Sequence, residues 1–128
     1  MLNDDQLYLG HMLDMATKAV DKVQDVSRID YDQDENLRLA LAHLIQIIGE
    51  AANRVSQLTR DQHADIPWHA IIGMRHRIVH GYMALDDDTV WEVATADLPT
   101  LAATLRRITG PESQRAADSD HAAACDGS

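Results

Sequence analysis

Apolar residues recur at helical spacing in four stretches of the chain. Between Asp4 and Ser27 they fall at Leu9, Leu13, Ala16, Val20 and Val23, in alternating steps of four and three. That rhythm keeps them on one face of a helix. From Asp32 to Arg60 the same rhythm runs further, through Leu37, Leu41, Leu44, Ile48, Ala51, Val55 and Leu58. Such a seam suits packing against a partner helix. Leu39 and Ile47 fall roughly opposite the seam, which predicts a helix buried on two sides, with the second partner in another subunit.

A third helix is expected from Asp65-Ile66-Pro67-Trp68, where an acid precedes proline in the first turn, to about His80, with Gly81 as the breaker. A fourth opens at Asp86-Asp87-Asp88-Thr89, acids that suit the positive end of a helix dipole. It carries Val90, Ala94, Leu101, Leu105 and Ile108. Pro99 inside it predicts a kink or local break. Strand alternation and internal repeats are missing from the sequence. The pattern predicts an all-α protein, an antiparallel four-helix bundle whose short loops join up-and-down neighbours.

Composition narrows the class. A chain of 128 residues that is 45% hydrophobic fits one domain with a real core, expected over residues 1–109. After Gly110-Pro111 the sequence turns to PESQRAADSDHAAACDGS, so residues 110–128 are expected to form a disordered acidic tail. The formal net charge of −10 argues against a surface that tracks DNA. The single cysteine, Cys125, excludes a disulfide framework and a zinc finger. The N-terminus carries acids where a signal peptide would be basic, and no apolar run approaches the roughly 18 residues of a membrane span. A soluble, cytoplasmic protein without membrane association is the expectation.

One stretch departs from the acidic background. Ile66 to Leu85 holds no Asp or Glu and contains His69, Arg75, His76, Arg77 and His80. Arginine offers a bidentate clamp for phosphate, and histidine can both take and give a proton near neutral pH. Together they suit cleavage of a phosphodiester: a base activates an RNA 2′-hydroxyl, an acid protonates the leaving oxygen, and cations stabilise the added negative charge. Spacing alone proves little. An Arg-x4-His pair arises by chance about 0.5 times in such a chain, and a second copy, Arg38 to His43, lies inside the second predicted helix. On an ideal helix Arg75 and His80 also point about 140° apart. They could meet only if the helix unwinds near Gly81 or if two chains share the site.

Five blocks in order resemble one family: Ile47-Ile48-Gly49-Glu50-Ala51-Ala52, Pro67-Trp68, Gly73-Met74-Arg75, Val79-His80-Gly81-Tyr82, and Val90-Trp91-Glu92 with Leu98-Pro99. The chain is similar, over about residues 4 to 109, to the HepT toxins, which are HEPN-domain proteins. The resemblance implies a homodimeric helical HEPN bundle that places two Arg-x4-His-x-Tyr motifs opposite each other. It implies the toxin of a type VII toxin-antitoxin system, a metal-independent endoribonuclease with no cofactor. Arg75 and His80 would be the catalytic pair, and Glu50 would support the motif arginine. Tyr82 would accept AMP from a nucleotidyltransferase antitoxin of the MntA type. Many family members carry Asn directly after the arginine, whereas this chain has His76, a departure that bears on rate and substrate preference.

Each of these residues also has an ordinary structural role open to it. Arg75 and His80 could simply be polar residues at a helix end. His76 and Arg77 could face solvent rather than contact RNA. Glu50 lies four residues before Arg54, spacing that suits a surface ion pair. Tyr82 could be half-buried with its hydroxyl bonded. Trp68 and Trp91 are expected to be packing anchors. A different functional class also fits the same fold: a non-catalytic helical subunit that binds nucleotide or substrate for a nucleotidyltransferase.

Overall fold

The computed structural model describes residues 3–80 and 84–110. The expected break at Gly81, Tyr82 and the tail beyond Gly110 lie outside the described residues. Helix α1 runs Asn3–Val23, α2 Arg28–Asp32, α3 Glu35–Arg54, α4 Gln57–Gln62, α5 Trp68–Ile72, α6 Met74–Ile78 and α7 Asp87–Glu92. A π-helical turn, Val93–Asp97, then leads into a last helix, α8, over 98–110. Two two-residue strands, β1 (Val79–His80) and β2 (Ala84–Leu85), pair antiparallel with His80 opposite Ala84. This small hairpin is an addition to the all-α pattern read from the sequence.

The core sits mainly between α1, α3 and the α7–α8 segment. Leu9, Met12, Ala16 and Ala19 of α1 meet Leu41, Ile45, Ile48 and Ala52 of α3, all fully or almost fully buried. Val90, Val93, Leu98 and Leu105 join the same cluster. At about 25 cal/mol per Å² of apolar surface removed from water, the Leu, Ile, Val and Met side chains among these contribute about 1.5–3 kcal/mol each.

Several predicted helices break where local chemistry interrupts them. The second does not run on to Arg60. It ends at Arg54 because Val55 turns extended and Ser56 caps α4, its side chain accepting from Thr59 N–H at 3.3 Å. Arg60 then donates to the Val55 and Asn53 carbonyls at 3.0 and 2.9 Å, satisfying acceptors that the ended helix leaves open. Leu58 therefore loses the phase of the seam and stands 64% exposed. The first helix stops at Val23 rather than Ser27, and Ser27 instead caps α2.

The third predicted helix is two short ones that meet at Gly73, and it ends at Ile78 rather than His80. Pro67 caps α5 from outside instead of opening its first turn. In the fourth, Asp86 caps α7 as expected, accepting from Thr89 N–H at 3.0 Å. The distortion tied to Pro99 falls upstream of it: Leu98 N–H reaches back five residues to Val93 O. Proline lacks the N–H that would bind Thr95 O, and Thr95 turns its hydroxyl to Trp91 O at 2.7 Å.

Two polar anchors fix the ends of this frame. Asp5 is buried and accepts from Ser56 N–H at 2.9 Å, Ser56 Oγ at 2.6 Å and Thr59 Oγ1 at 2.5 Å, tying α1 to α4. Burial raises the Asp5 carboxyl, yet these hydrogen bonds outweigh it and hold the group below its ordinary value. At the other end, Tyr31 is fully buried beside Trp91, ring centroids 4.8 Å apart, and donates to Asp87 O at 2.8 Å. Burial, helped by Asp87, pushes the Tyr31 phenol up to about 12. Arg38 donates to the carbonyls of Tyr31 and Asp32 and lies 3.4 Å from Asp87. That places the Arg38–His43 spacing in structural duty: Arg38 docks α2 on α7, while His43 faces solvent.

Candidate active site

The site begins with a glycine on α3. Gly49 is buried, and a Cβ there would stand 3.0 Å from Ile71 O and 3.6 Å from Ile72 O. Its bare Cα lets the C-terminal end of α5 lie directly on α3. Gly73 then ends α5 and starts α6 at one residue, with its N–H on His69 O at 2.9 Å and its carbonyl accepting from His76 N–H at 3.0 Å. A side chain at Gly73 would meet His69 O at 3.1 Å. Two glycines thus set the close approach of α5 and the turn into α6.

Helix α6 is pinned by Met74 and Ile78, both buried, four residues apart on one face. Arg75, His76 and Arg77 between them are exposed. At about 100° per residue they fan around the helix. Arg75 and His76 line a groove of about 230 Å³ against α3, whose wall is Gln46, Gly49, Glu50 and Asn53. Arg77 points elsewhere, to a cavity of about 390 Å³ between α5 and the π turn with Ile66, Met74 and Leu101 in its lining. The groove therefore gathers Arg75, His76 and Glu50, and separates Arg77 from them.

Glu50 does not pair with Arg54 among the described residues. Arg54 lies instead over the Tyr8 ring, 5.9 Å from its centroid, which leaves the exposed Glu50 carboxylate on the groove wall beside Arg75. Gln46 and Asn53 share that wall and carry hydrogen-bonding amides. Sequence reasoning passed over both, although Gln46, Glu50 and Asn53 fall at helical spacing around the glycine.

His80 follows two residues after α6 ends, in extended backbone. Val79 has φ −110° and ψ 114°, and Asp86 N–H bonds Ile78 O at 2.6 Å, closing the hairpin. The 140° separation on an ideal helix does not apply, because the chain has left the helix before His80. The unwinding comes at Val79, earlier than the Gly81 break read from the sequence. Among the described residues no three His, Cys, Asp or Glu side chains gather into a metal-binding group, and no helix is long and apolar enough to cross a membrane.

A groove in which arginine and histidine face a glutamate is chemistry that many enzymes share. The comparison that decides between them is a match of residues 12–108 to the family model described as Ribonuclease HepT-like. The chain belongs to the HepT-like ribonuclease family. It is 30% identical over 101 residues to a protein of Caldanaerobacter subterraneus subsp. tengcongensis provisionally named an RNase, covering 79% of this chain and 90% of that one. It is 24% identical to a Thermococcus cleftensis protein named a probable ribonuclease HepT, covering 75% and 91%. A Methanocaldococcus jannaschii relative, also provisionally named an RNase, is 24% identical over 77% of this chain and 90% of its own. No solved structure gives a significant match. The HepT-like match spans α3, α5, α6 and the hairpin, the elements that build the groove.

Proposed function

We propose that this chain is a metal-independent endoribonuclease, the toxin of a type VII toxin-antitoxin pair, working as a homodimer. The observation that carries the reading is that Arg75 and His76 line one groove with Glu50 in a chain of the HepT-like ribonuclease family. In this reading Arg75 clamps the scissile phosphate and stabilises its extra charge. His80 moves the proton between the 2′-hydroxyl and the leaving 5′-oxygen. Glu50, on the groove wall, holds the Arg75 guanidinium toward the strand. His76 contacts RNA in the same groove, and Arg77 contacts it from the far side of α6.

Dimerisation is supported by Leu39, 52% exposed, and by half-buried Ile47, both on the helix that carries Glu50. A second copy on this strip would bring two motifs together at its edge. The domain runs over 1–109, with 110–128 as a tail. Tyr82 lies two residues past His80, so AMP added there by an MntA-type nucleotidyltransferase would bring a bulky anion to the place an RNA phosphate needs. The protein acts in the cytoplasm, and its partners are RNA, that antitoxin and its own second copy, with no role for DNA or membrane.

The test is RNA cleavage in excess EDTA by protein made without antitoxin, with analysis of the product ends. Attack by the 2′-hydroxyl leaves a cyclic phosphate and a 5′-hydroxyl. AMP transfer to the wild type that is lost in Tyr82→Phe, together with persistent toxicity of that variant beside the antitoxin, tests the control mechanism. Intact RNA with Tyr82 unmodified would turn the assignment to the non-catalytic binding subunit.

A further inference from the structure

The groove does not end at Glu50. Glu50 and Asn53 also line a second cavity, of about 440 Å³, which extends across α3 onto α1. Tyr8, His11 and Arg54 stand around it together with Ile47, so it borders the strip assigned above to the second copy. Arg54 lies over the Tyr8 ring, and the His11 imidazole meets the same ring edge-on with centroids 6.2 Å apart. An aromatic ring and a guanidinium are the two planar groups on which RNA bases stack. Arginine also clamps phosphate, and the Asn53 amide can both donate and accept at a base edge. Among the described residues lining either cavity Glu50 is the one acid, in a chain of net charge −10.

From this continuity we infer that the Tyr8–His11–Arg54 cavity is a binding subsite for a neighbouring nucleotide of the same single-stranded RNA. Its base stacks at Tyr8 and Arg54, and its phosphate meets Arg54 and His11. The inference rests on the ribonuclease reading and adds residues from α1 to it. These are positioning residues: they hold the strand in the groove while Arg75 and His80 act on it. Stacking is sequence-tolerant, so the subsite adds affinity for single strands over duplex, whose bases are already stacked.

The test uses single-stranded RNA hexamers carrying 2′-O-methyl ribose, which cannot cleave by 2′-hydroxyl attack, read by fluorescence anisotropy against full-length protein. Loss of one stacked base corresponds to roughly a 5- to 150-fold weaker Kd. Tyr8→Leu and Arg54→Gln are each expected to show a loss in that range, and Tyr8→Phe to retain wild-type affinity. On cleavable RNA the first two raise KM and leave kcat within about threefold, the signature of lost binding rather than lost chemistry. Arg54 is exposed, so Arg54→Gln keeps the test valid if Tyr8→Leu melts early. Unchanged hexamer affinity in Arg54→Gln and Tyr8→Leu overturns the inference while cleavage by wild type stands. A weakened dimer with unchanged RNA affinity also overturns it and gives the surface to the subunit contact. A wild type that neither binds nor cleaves RNA overturns the ribonuclease reading as well.

Discussion

The contact that builds the groove can be tested at Gly49. Alanine at a helix-interior glycine ordinarily gains about 0.5–1 kcal/mol through lower chain entropy. At Gly49 the new Cβ would sit 3.0 Å from one backbone carbonyl oxygen and 3.6 Å from a second. Backbone cannot rotate aside as a flexible side chain does, so α5 must move off α3, and overpacking of this kind costs about 1–3 kcal/mol. The net expectation for Gly49→Ala is a loss of about 1–2 kcal/mol, or a melting temperature about 4–8 °C lower for a domain of this size. Gly10 supplies the control. It lies inside α1 with nothing within 4 Å of an added Cβ, so Gly10→Ala should gain about 0.5–1 kcal/mol and melt a few degrees higher. Thermal unfolding by circular dichroism reads both. Equal melting temperatures for the two variants would refute the argument that α5 rests on the bare Cα of Gly49.

Other consequences follow from the two polar anchors. Asp5→Asn should lower stability at neutral pH, because the amide replaces an anionic acceptor of three short hydrogen bonds. The folded Asp5 pKa is depressed, so its contribution is present above the unfolded value of about 3.9 and lost as pH falls through the folded value. Asp5→Asn should therefore flatten the acid limb of a urea-midpoint titration, and an unchanged limb would discard the assignment. Tyr31→Phe leaves the Asp87 carbonyl without its donor and should cost about 1–3 kcal/mol. With the phenol pushed up to about 12, the Tyr31 contribution holds below the unfolded value of about 10 and falls as pH rises toward 12. Denaturant midpoints between pH 9 and 12 measure this, and identical slopes in wild type and Tyr31→Phe would contradict it.

The α3 seam was legible from spacing alone, since Leu41, Leu44, Ile48 and Ala51 all face the core. Leu58 keeps the spacing of the seam without belonging to it, because the apolar periodicity continues through Ser56 whereas the backbone leaves the helix there to cap α4. The break at Gly73 was hidden by the same continuity. Its reason is tertiary: α5 rests on Gly49, and α6 must be re-aimed before it meets α3. For the site, the basic stretch pointed to Arg75 and His76, while Glu50 came from resemblance to the family. No local signal joins Tyr8 to Arg54, because the two meet only through α1–α3 packing across 46 positions of sequence. Arg77 shows the converse, adjacent to His76 in sequence and turned to a different cavity by the helical repeat.

The metal-free cleavage of RNA proposed for Arg75 and His80 is open to a direct test. The most direct measurement is single-turnover cleavage of RNA in excess EDTA by wild type, Arg75→Ala and His80→Ala, all produced without antitoxin and with Tyr82 shown unmodified by mass spectrometry. The proposed pairing of Arg75 and His80 gives robust wild-type cleavage and a fall of about 10²–10⁴-fold in each variant, with melting temperatures unchanged. Wild-type cleavage that EDTA abolishes, or that survives in His80→Ala, would contradict it.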